Sequence, residues 1–162
     1  MASELPLRPI LKNSAQLSSK PIAIVASKFN KAHVDGLIDS CVEELKEILP
    51  EALIHIVRVP GSYEIPVTVQ HLANQGTTFG CFIALGVVLQ GSTAHGNHVS
   101  SSVSDALMEI SVRLSTPVIS EVLHVNNMEQ ADERCFGVEL NRGVEAARTA
   151  AAMLSLFEEI AG

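Results

Sequence analysis

The chain has 162 residues, a formal net charge of −7 at neutral pH, and 47% hydrophobic against 18% charged residues. This length suits one domain with a core of its own. The negative charge argues against a nucleic-acid surface, and no apolar run is long enough to predict a membrane span. Because the N-terminus lacks the apolar core of a secretory signal, we expect a cytoplasmic protein. The high apolar fraction indicates that other copies of the chain cover part of its surface.

The predicted elements alternate along the chain. We predict that residues 1–20 form an N-terminal tail with a short edge strand near residues 5–11, and that residues 21–162 form a single domain. The strands fall at 22–26, 53–59, 81–89 and 118–123, and the helices at 33–48, about 65–74, 98–114, 128–135 and 142–160. Short links between such elements favour a parallel sheet covered by helices on both faces. We therefore predict a three-layer α/β/α sandwich with a four-stranded parallel sheet.

The three cysteines, Cys41, Cys81 and Cys135, are far apart and form no CxxC pair. An odd, scattered set is typical of reduced thiols in a cytosolic protein rather than of a disulfide framework or a zinc site. The sequence also has no metal-ligand spacing, no Walker-type phosphate loop and no GxSxG elbow. We therefore predict no metal site.

The stretch from Cys81 to Val99 is the part of the sequence that says most about function. An apolar run that suits a strand buried on both faces ends at Gly91-Ser92-Thr93, and a helical pattern follows. The free N–H groups and the dipole of a helix start favour an anion at such a turn. His95 follows at once, and histidine is the side chain type that can carry protons near neutral pH, so a phosphate and a proton carrier can meet here. An ordinary turn with capping residues has the same composition.

Other residues with suitable chemistry follow the remaining strands. Phe29, in a chain with five Phe, one Tyr and no Trp, can stack on a flat heterocycle. The turn Gly61–Glu64 offers N–H groups and a carboxylate to a polyol, and Arg134 and Arg142 carry guanidinium groups that suit phosphate. Each also has a structural explanation, as a core rim, a first helical turn or a solvated arginine. Ligands bind beyond the carboxyl ends of parallel strands, so we expect the strand-end groups to converge at one edge.

Together these pieces resemble the lumazine synthase family (6,7-dimethyl-8-ribityllumazine synthase), which catalyses the penultimate step of riboflavin biosynthesis. The resemblance runs in order over roughly residues 21–160, through IAIVASKFN, VRVPGSYEIP, ALGVVLQGSTAH, PVISEVL, MEQADER and NRGVEAA. The combination of VPGSYEIP with GST-x-H is specific. The resemblance implies a flavodoxin-like fold and a transferase that condenses 5-amino-6-ribitylaminouracil with 3,4-dihydroxy-2-butanone 4-phosphate. Phosphate leaves, and no metal or organic cofactor is needed.

The resemblance also implies which residues hold the pyrimidine substrate. Phe29 would stack on the pyrimidine ring. The backbone of Ser62 and Tyr63 and the carboxylate of Glu64 would hold the ribityl chain. Arg142 would serve the same substrate, although it stands where the family usually has lysine.

For the second substrate the resemblance implies a phosphate site and a proton carrier. Gly91, Ser92 and Thr93 would bind the phosphate at the helix start, and His95 would carry the proton. Arg134 would arrive from a neighbouring subunit and pair with the phosphate, because members of this family form pentamers with each active site between two subunits. The expected assembly is therefore a homopentamer, with a 60-subunit icosahedral shell as a further expectation. The N-terminal segment would supply a strand to an adjacent subunit's sheet edge.

Two segments depart from the family pattern. After His95 the family usually has an aromatic residue, an acid, and then an aromatic residue or histidine, whereas this chain has Gly96-Asn97-His98. Ser120 and Glu121 replace the aromatic residue and the glycine of the family's PVIFG. Two alternatives therefore stay open. One is an archaeal-type riboflavin synthase, which a lumazine dismutation assay separates; the other is a non-catalytic flavin-binding, lumazine-binding or shell-assembly paralogue.

Overall fold

A computed structural model of the protein describes residues 4–162. Its four strands are β1 (Ile22–Ser27), β2 (Ile54–Val59), β3 (Cys81–Leu89) and β4 (Val118–Val125). Its helices are α1 (Ser14–Leu17), α2 (Lys31–Ile48), α3 (Ile65–Ala73), α4 (His95–Leu114), α5 (Met128–Cys135) and α6 (Arg142–Ala161), with a 3₁₀ turn at Ser62–Glu64. All strand pairs are parallel, in the order β2-β1-β3-β4. The predicted four-stranded parallel sheet is confirmed.

The two inner strands are apolar because helices cover both of their faces. Every residue of β1 is buried, and β3 is buried from Cys81 to Val87. In the middle of the sheet Val25 of β1 pairs with Val57 of β2 on one side and with Ala84 of β3 on the other. This burial on both faces explains the continuous apolar runs in the sequence.

Two hydrophobic clusters, one on each face of the sheet, make up the core. The first joins β-strand side chains to α2, α5 and α6, and the second joins the opposite side chains to α3 and α4. Helix α6 approaches α2 closely because its buried positions are small; a Cβ on Gly143 would lie 2.4 Å from the Leu37 carbonyl oxygen. Helices on both sides of a sheet with this strand order make a three-layer, flavodoxin-like α/β/α fold, as predicted.

Helix α4 begins earlier than its apolar pattern predicts. The pattern indicates a start at residue 98, whereas the helix begins at His95. A first turn does not need apolar periodicity, because its N–H groups have no partner within the helix. The consequence is that His95 belongs to the first turn of α4 rather than to the loop before it.

The N-terminal segment forms no strand between residues 4 and 13 within the chain. Arg8 donates two hydrogen bonds of 2.9 Å to Glu44 of α2, and Arg148 of α6 donates to Glu44 and to the Pro6 carbonyl oxygen. Hydrogen bonding to Arg8 lowers the pKa of Glu44. The expected strand would pair with another copy, so it stays a prediction; residues 1–3 of the expected tail lie outside the described residues.

The three cysteine thiols are buried and free. Burial raises the pKa of Cys41 and of Cys135 to about 12, which keeps both thiols protonated and unreactive at neutral pH. Within residues 4–162, no three His, Cys, Asp or Glu side chains are grouped as a metal ion would require. The helices of the same residues are too short or too polar to cross a membrane.

Candidate active site

A cavity of about 320 Å³ lies beyond the carboxyl ends of β1 and β3. The chain leaves the sheet in opposite directions from these two neighbouring strands, and ligands of doubly wound sheets bind at such a point. The volume is at the lower end of the range for small-molecule pockets. The cavity is lined by Phe29, Gly61, Ser62, Tyr63, Val87, Val88, Leu89, Gly91, Thr93, His95, Gly96 and Val99.

Six of the ten site residues predicted from the sequence therefore line one cavity: Phe29, Ser62, Tyr63, Gly91, Thr93 and His95. They come from three separate strand ends, which the parallel sheet brings to the same edge. Glu64 and Ser92 are neighbours of lining residues without lining the cavity themselves. Arg134 and Arg142 lie elsewhere in the chain.

Phe29 is held at the cavity by the residue that follows it. Asn30 adopts a left-handed conformation with a φ of 53°, and its Nδ2 donates a 2.7 Å hydrogen bond to the Val87 carbonyl oxygen of β3. The Phe29 N–H donates to the Pro60 carbonyl oxygen at 3.2 Å. With its backbone fixed to two other segments, the Phe29 ring remains 70% exposed. Sequence reasoning gave Asn30 no role of its own, although asparagine is one of the non-glycine residues that most readily adopt a left-handed turn.

The turn after β2 is held by its own carboxylate. Glu64 Oε2 accepts a 2.9 Å hydrogen bond from the Gly61 N–H, which closes the 3₁₀ turn. Ser62 is buried inside this turn, whereas the Tyr63 side chain is 64% exposed. A carboxylate can accept several hydrogen bonds, so Glu64 can still accept hydrogen bonds from a ligand.

Gly86 makes room for the turn on the surface of β3. A Cβ at this position would lie 2.6 Å from Ser62 Oγ and 3.4 Å from Ser27 Oγ. The Ser27 hydroxyl is itself buried and finds no hydrogen-bond partner among the described residues. Sequence reasoning missed Gly86; its signal is a glycine inside an apolar strand, which often marks a close approach.

The turn between β3 and α4 is open. Gly91, Ser92 and Thr93 are exposed, and the His95 N–H lies 3.4 Å from Thr93 Oγ1. A Cβ at Gly91 would meet no heavy atom of the described residues within 4 Å. The fold of the single chain therefore does not require glycine there, and the missing side chain leaves the turn's backbone accessible to a ligand.

A family model described as 6,7-dimethyl-8-ribityllumazine synthase matches residues 19–158. The chain belongs to this family. The matched range includes the whole sheet and every residue to which a site role was assigned from the sequence. The lumazine synthase family consists of enzymes of riboflavin biosynthesis. The chain's membership of this family agrees with its fold and with the position of the cavity.

In this lumazine synthase family chain, Arg134 lies on α5, on the opposite side of the sheet from α4. Its Nη1 donates to the Gln130 carbonyl oxygen at 3.1 Å and lies 3.5 Å from Glu133 Oε2. Helix α5 is in turn fixed to α2 by a 2.7 Å hydrogen bond between His33 Nε2 and Asp132 Oδ1. Arg134 is not among the residues that line the cavity of its own chain.

Arg142 lies in the first turn of α6, where it forms an ion pair with Glu145. Glu121 of β4 lies near both of them. Burial raises the pKa of the Glu121 carboxyl to about 7; Glu145 acts in the same direction, and Arg142 opposes it. The charge that replaces the family's glycine therefore lies between the sheet and α6, away from the cavity lining of its own chain.

Proposed function

We propose that this chain condenses 5-amino-6-ribitylaminouracil with 3,4-dihydroxy-2-butanone 4-phosphate to form 6,7-dimethyl-8-ribityllumazine, with release of phosphate and water. The observation that supports this most is the content of one cavity in a chain of this family. An exposed aromatic ring, a polar turn and a helix start with a histidine face the same space. The proposed reaction uses no metal and no organic cofactor.

The pyrimidine substrate fits the β1 and β2 side of the cavity. Phe29 offers an exposed ring for stacking on the heterocycle. The N–H groups of Ser62 and Tyr63 and the free acceptor capacity of Glu64 suit the hydroxyls of a ribityl chain. Because Asn30 and Gly61 fix these groups by hydrogen bonds to the backbone, little ordering remains when the substrate binds.

The butanone phosphate fits the β3 and α4 side. The open turn at Gly91–Thr93 offers backbone N–H groups at the positive end of a 20-residue helix. Condensation removes protons from the attacking amine and delivers protons to the departing oxygens. His95 lines the cavity next to the proposed phosphate position, and histidine is the side chain most often used for general acid–base catalysis.

The charge of the cavity supports a site shared between copies of the chain. None of the described residues that line it carries a permanent positive charge, yet a phosphate ester carries close to two negative charges. Arg134 is the arginine expected for this role and Arg142 the one expected to serve the pyrimidine substrate, and both lie outside the cavity of their own chain. We therefore propose that they serve the cavity of an adjacent copy in a homopentamer, which can assemble further into a 60-subunit shell.

A coupled assay with both substrates tests the reaction. Formation of the lumazine with release of phosphate supports the proposal. Conversion of lumazine alone into riboflavin would instead favour an archaeal-type riboflavin synthase. Tight binding of lumazine or riboflavin without turnover in either assay would favour a non-catalytic paralogue.

Mixing two impaired variants tests the shared site. His95→Ala and Arg134→Ala chains, unfolded together and refolded, should form mixed oligomers in which some cavities combine an intact His95 with an intact Arg134 of the neighbour. We expect the activity of the mixture to rise well above that of either variant refolded alone. Light scattering measures the assembly directly. A wild-type mass of one subunit, or a mixture without restored activity, would contradict sharing.

A further inference from the structure

A pair of polar side chains behind the cavity holds the turn to which the phosphate is assigned. Gln90 follows β3, and its Nε2 donates hydrogen bonds of 3.2 Å to the carbonyl oxygens of both Gly91 and Thr93. Its Oε1 lies 2.7 Å from Nε2 of His124, a residue of β4. Because Gln90 Nε2 faces two carbonyl oxygens, its amide orientation is fixed. His124 Nε2 must therefore carry the proton that it donates to Gln90 Oε1.

The two bonds from Gln90 determine where the turn's N–H groups point. In a planar trans peptide the C=O of one residue is antiparallel to the N–H of the next. With the carbonyls of Gly91 and Thr93 directed at Gln90, the N–H groups of Ser92 and Ala94 point away from it. Neither of these N–H groups donates a hydrogen bond within the described part of the chain. They are oriented donors without an acceptor of their own.

The first turn of α4 leaves space for the pair. A Cβ on Gly96 would lie 3.3 Å from His124 Nε2 and 3.4 Å from Gln90 Oε1. These distances are at the short limit of ordinary contacts, so the glycine allows the pair to approach the helix. The two side chains thus connect β4 to the start of α4, and neither of them lines the cavity itself.

We propose that Gln90 and His124 are positioning residues that hold the Gly91–Thr93 turn in its phosphate-binding form. This inference rests on the proposed function, because that function places the phosphate at the turn. Loss of the pair should weaken binding of the phosphate-bearing substrate and leave the pyrimidine side of the cavity as it is. Neither side chain touches the reacting atoms, so we expect the effect in KM rather than in kcat.

The test compares the two substrates and inorganic phosphate. Gln90→Met and His124→Leu remove the hydrogen bonds while keeping similar volumes. Loss of one to two ordinary hydrogen bonds corresponds to a rise of roughly 3- to 10-fold in KM for the butanone phosphate and in Kd for inorganic phosphate measured by calorimetry. KM for the pyrimidine should stay within about twofold of the wild-type value, which is less than the loss of one hydrogen bond.

A rescue variant and a matched control complete the experiment. His124→Gln retains an N–H donor near the position of Nε2, so it should restore most of the phosphate affinity that His124→Leu loses. His71→Ala is the control, because His71 of α3 also pairs with a glutamine, but this partner, Gln75, lies just after the helix and the pair is exposed to solvent. This control should change neither substrate's KM.

The outcomes separate this inference from the proposed function. Wild-type affinity for inorganic phosphate in both Gln90→Met and His124→Leu would overturn the inference, as would an equal rise of KM for both substrates. A wild-type chain that binds phosphate but forms no lumazine would contradict the proposed function alone, since the phosphate affinities of the variants still decide the role of the pair. A wild-type chain that binds no phosphate would overturn both.

Discussion

Glu121 gives a prediction that is specific to this chain. Its carboxyl lies between β4 and α6, where burial and Glu145 raise its pKa from an ordinary 4.5 to about 7. In the unfolded chain the pKa returns to its ordinary value, so between these two pH values the folded state binds more protons than the unfolded state. The contribution of Glu121 to the free energy of unfolding therefore falls as the pH rises from 4.5 to 7 and then stays constant.

The size of this effect follows from the pKa difference. A rise in pKa from 4.5 to about 7 lowers the free energy of unfolding by at most about 3.4 kcal/mol above pH 7. The Glu121 side chain is only half-buried, and water reduces the penalty, so we expect about 1–3 kcal/mol. Glu121→Gln removes the ionisation and should be more stable than wild type by this amount at pH 8, with almost no difference at pH 4.5.

Urea denaturation at a fixed protein concentration measures the two free energies of unfolding at a series of pH values. The control is Glu51→Gln, because Glu51 is an exposed glutamate in the turn after α2. Its difference from wild type should not change across the same pH range. A difference between Glu121→Gln and wild type that is independent of pH, or a wild type that is the more stable protein at pH 8, would refute the reasoning.

Four further changes test the site. Gly86→Ala should destabilise the fold by about 1–3 kcal/mol in urea denaturation, because its Cβ would lie 2.6 Å from Ser62 Oγ. Asn30→Ala should cost about 1.5–3 kcal/mol and Asn30→Gly clearly less, since glycine accepts the left-handed backbone. Arg134→Ala should raise KM for the butanone phosphate far more than for the pyrimidine, by a loss of roughly 1.5–3 kcal/mol in binding. His95→Ala should lower kcat by about 10²-fold and flatten the pH–rate profile; an unchanged profile would make His95 structural.

The sequence predicts the fold well because the sheet is buried on both faces. The apolar run of β3 and the periodic helix α5 are found with the predicted bounds. The prediction is less accurate where the pattern is not apolar. The start of α4 has no apolar periodicity, and α1 is too short to show any. The expected N-terminal strand would need a second copy as its partner, so a single chain does not test that prediction.

The candidate site was predictable where its residues follow strands. The parallel arrangement requires strand ends to meet at one edge, so the positions of Phe29 and of the Gly91–Thr93 turn followed from the order of elements alone. The residues that support them were not predictable in this way. Asn30 reaches β3 across 57 residues, and His124 reaches Gln90 across 34. A hydrogen bond between distant residues leaves no periodic pattern in a sequence.

The departures from the family pattern have different physical consequences. Gly96 lies against the Gln90–His124 pair, so a larger residue there would press on the support of the turn. Glu121 lies on the other side of the sheet beside Arg142, where its ionisation affects an arginine that we assign to a neighbouring cavity. A change at residue 96 should therefore act on the Gly91–Thr93 turn of the same chain. Under the proposed shared site, a change at residue 121 would act through the assembly, so we expect its effect on activity only where copies of the chain associate.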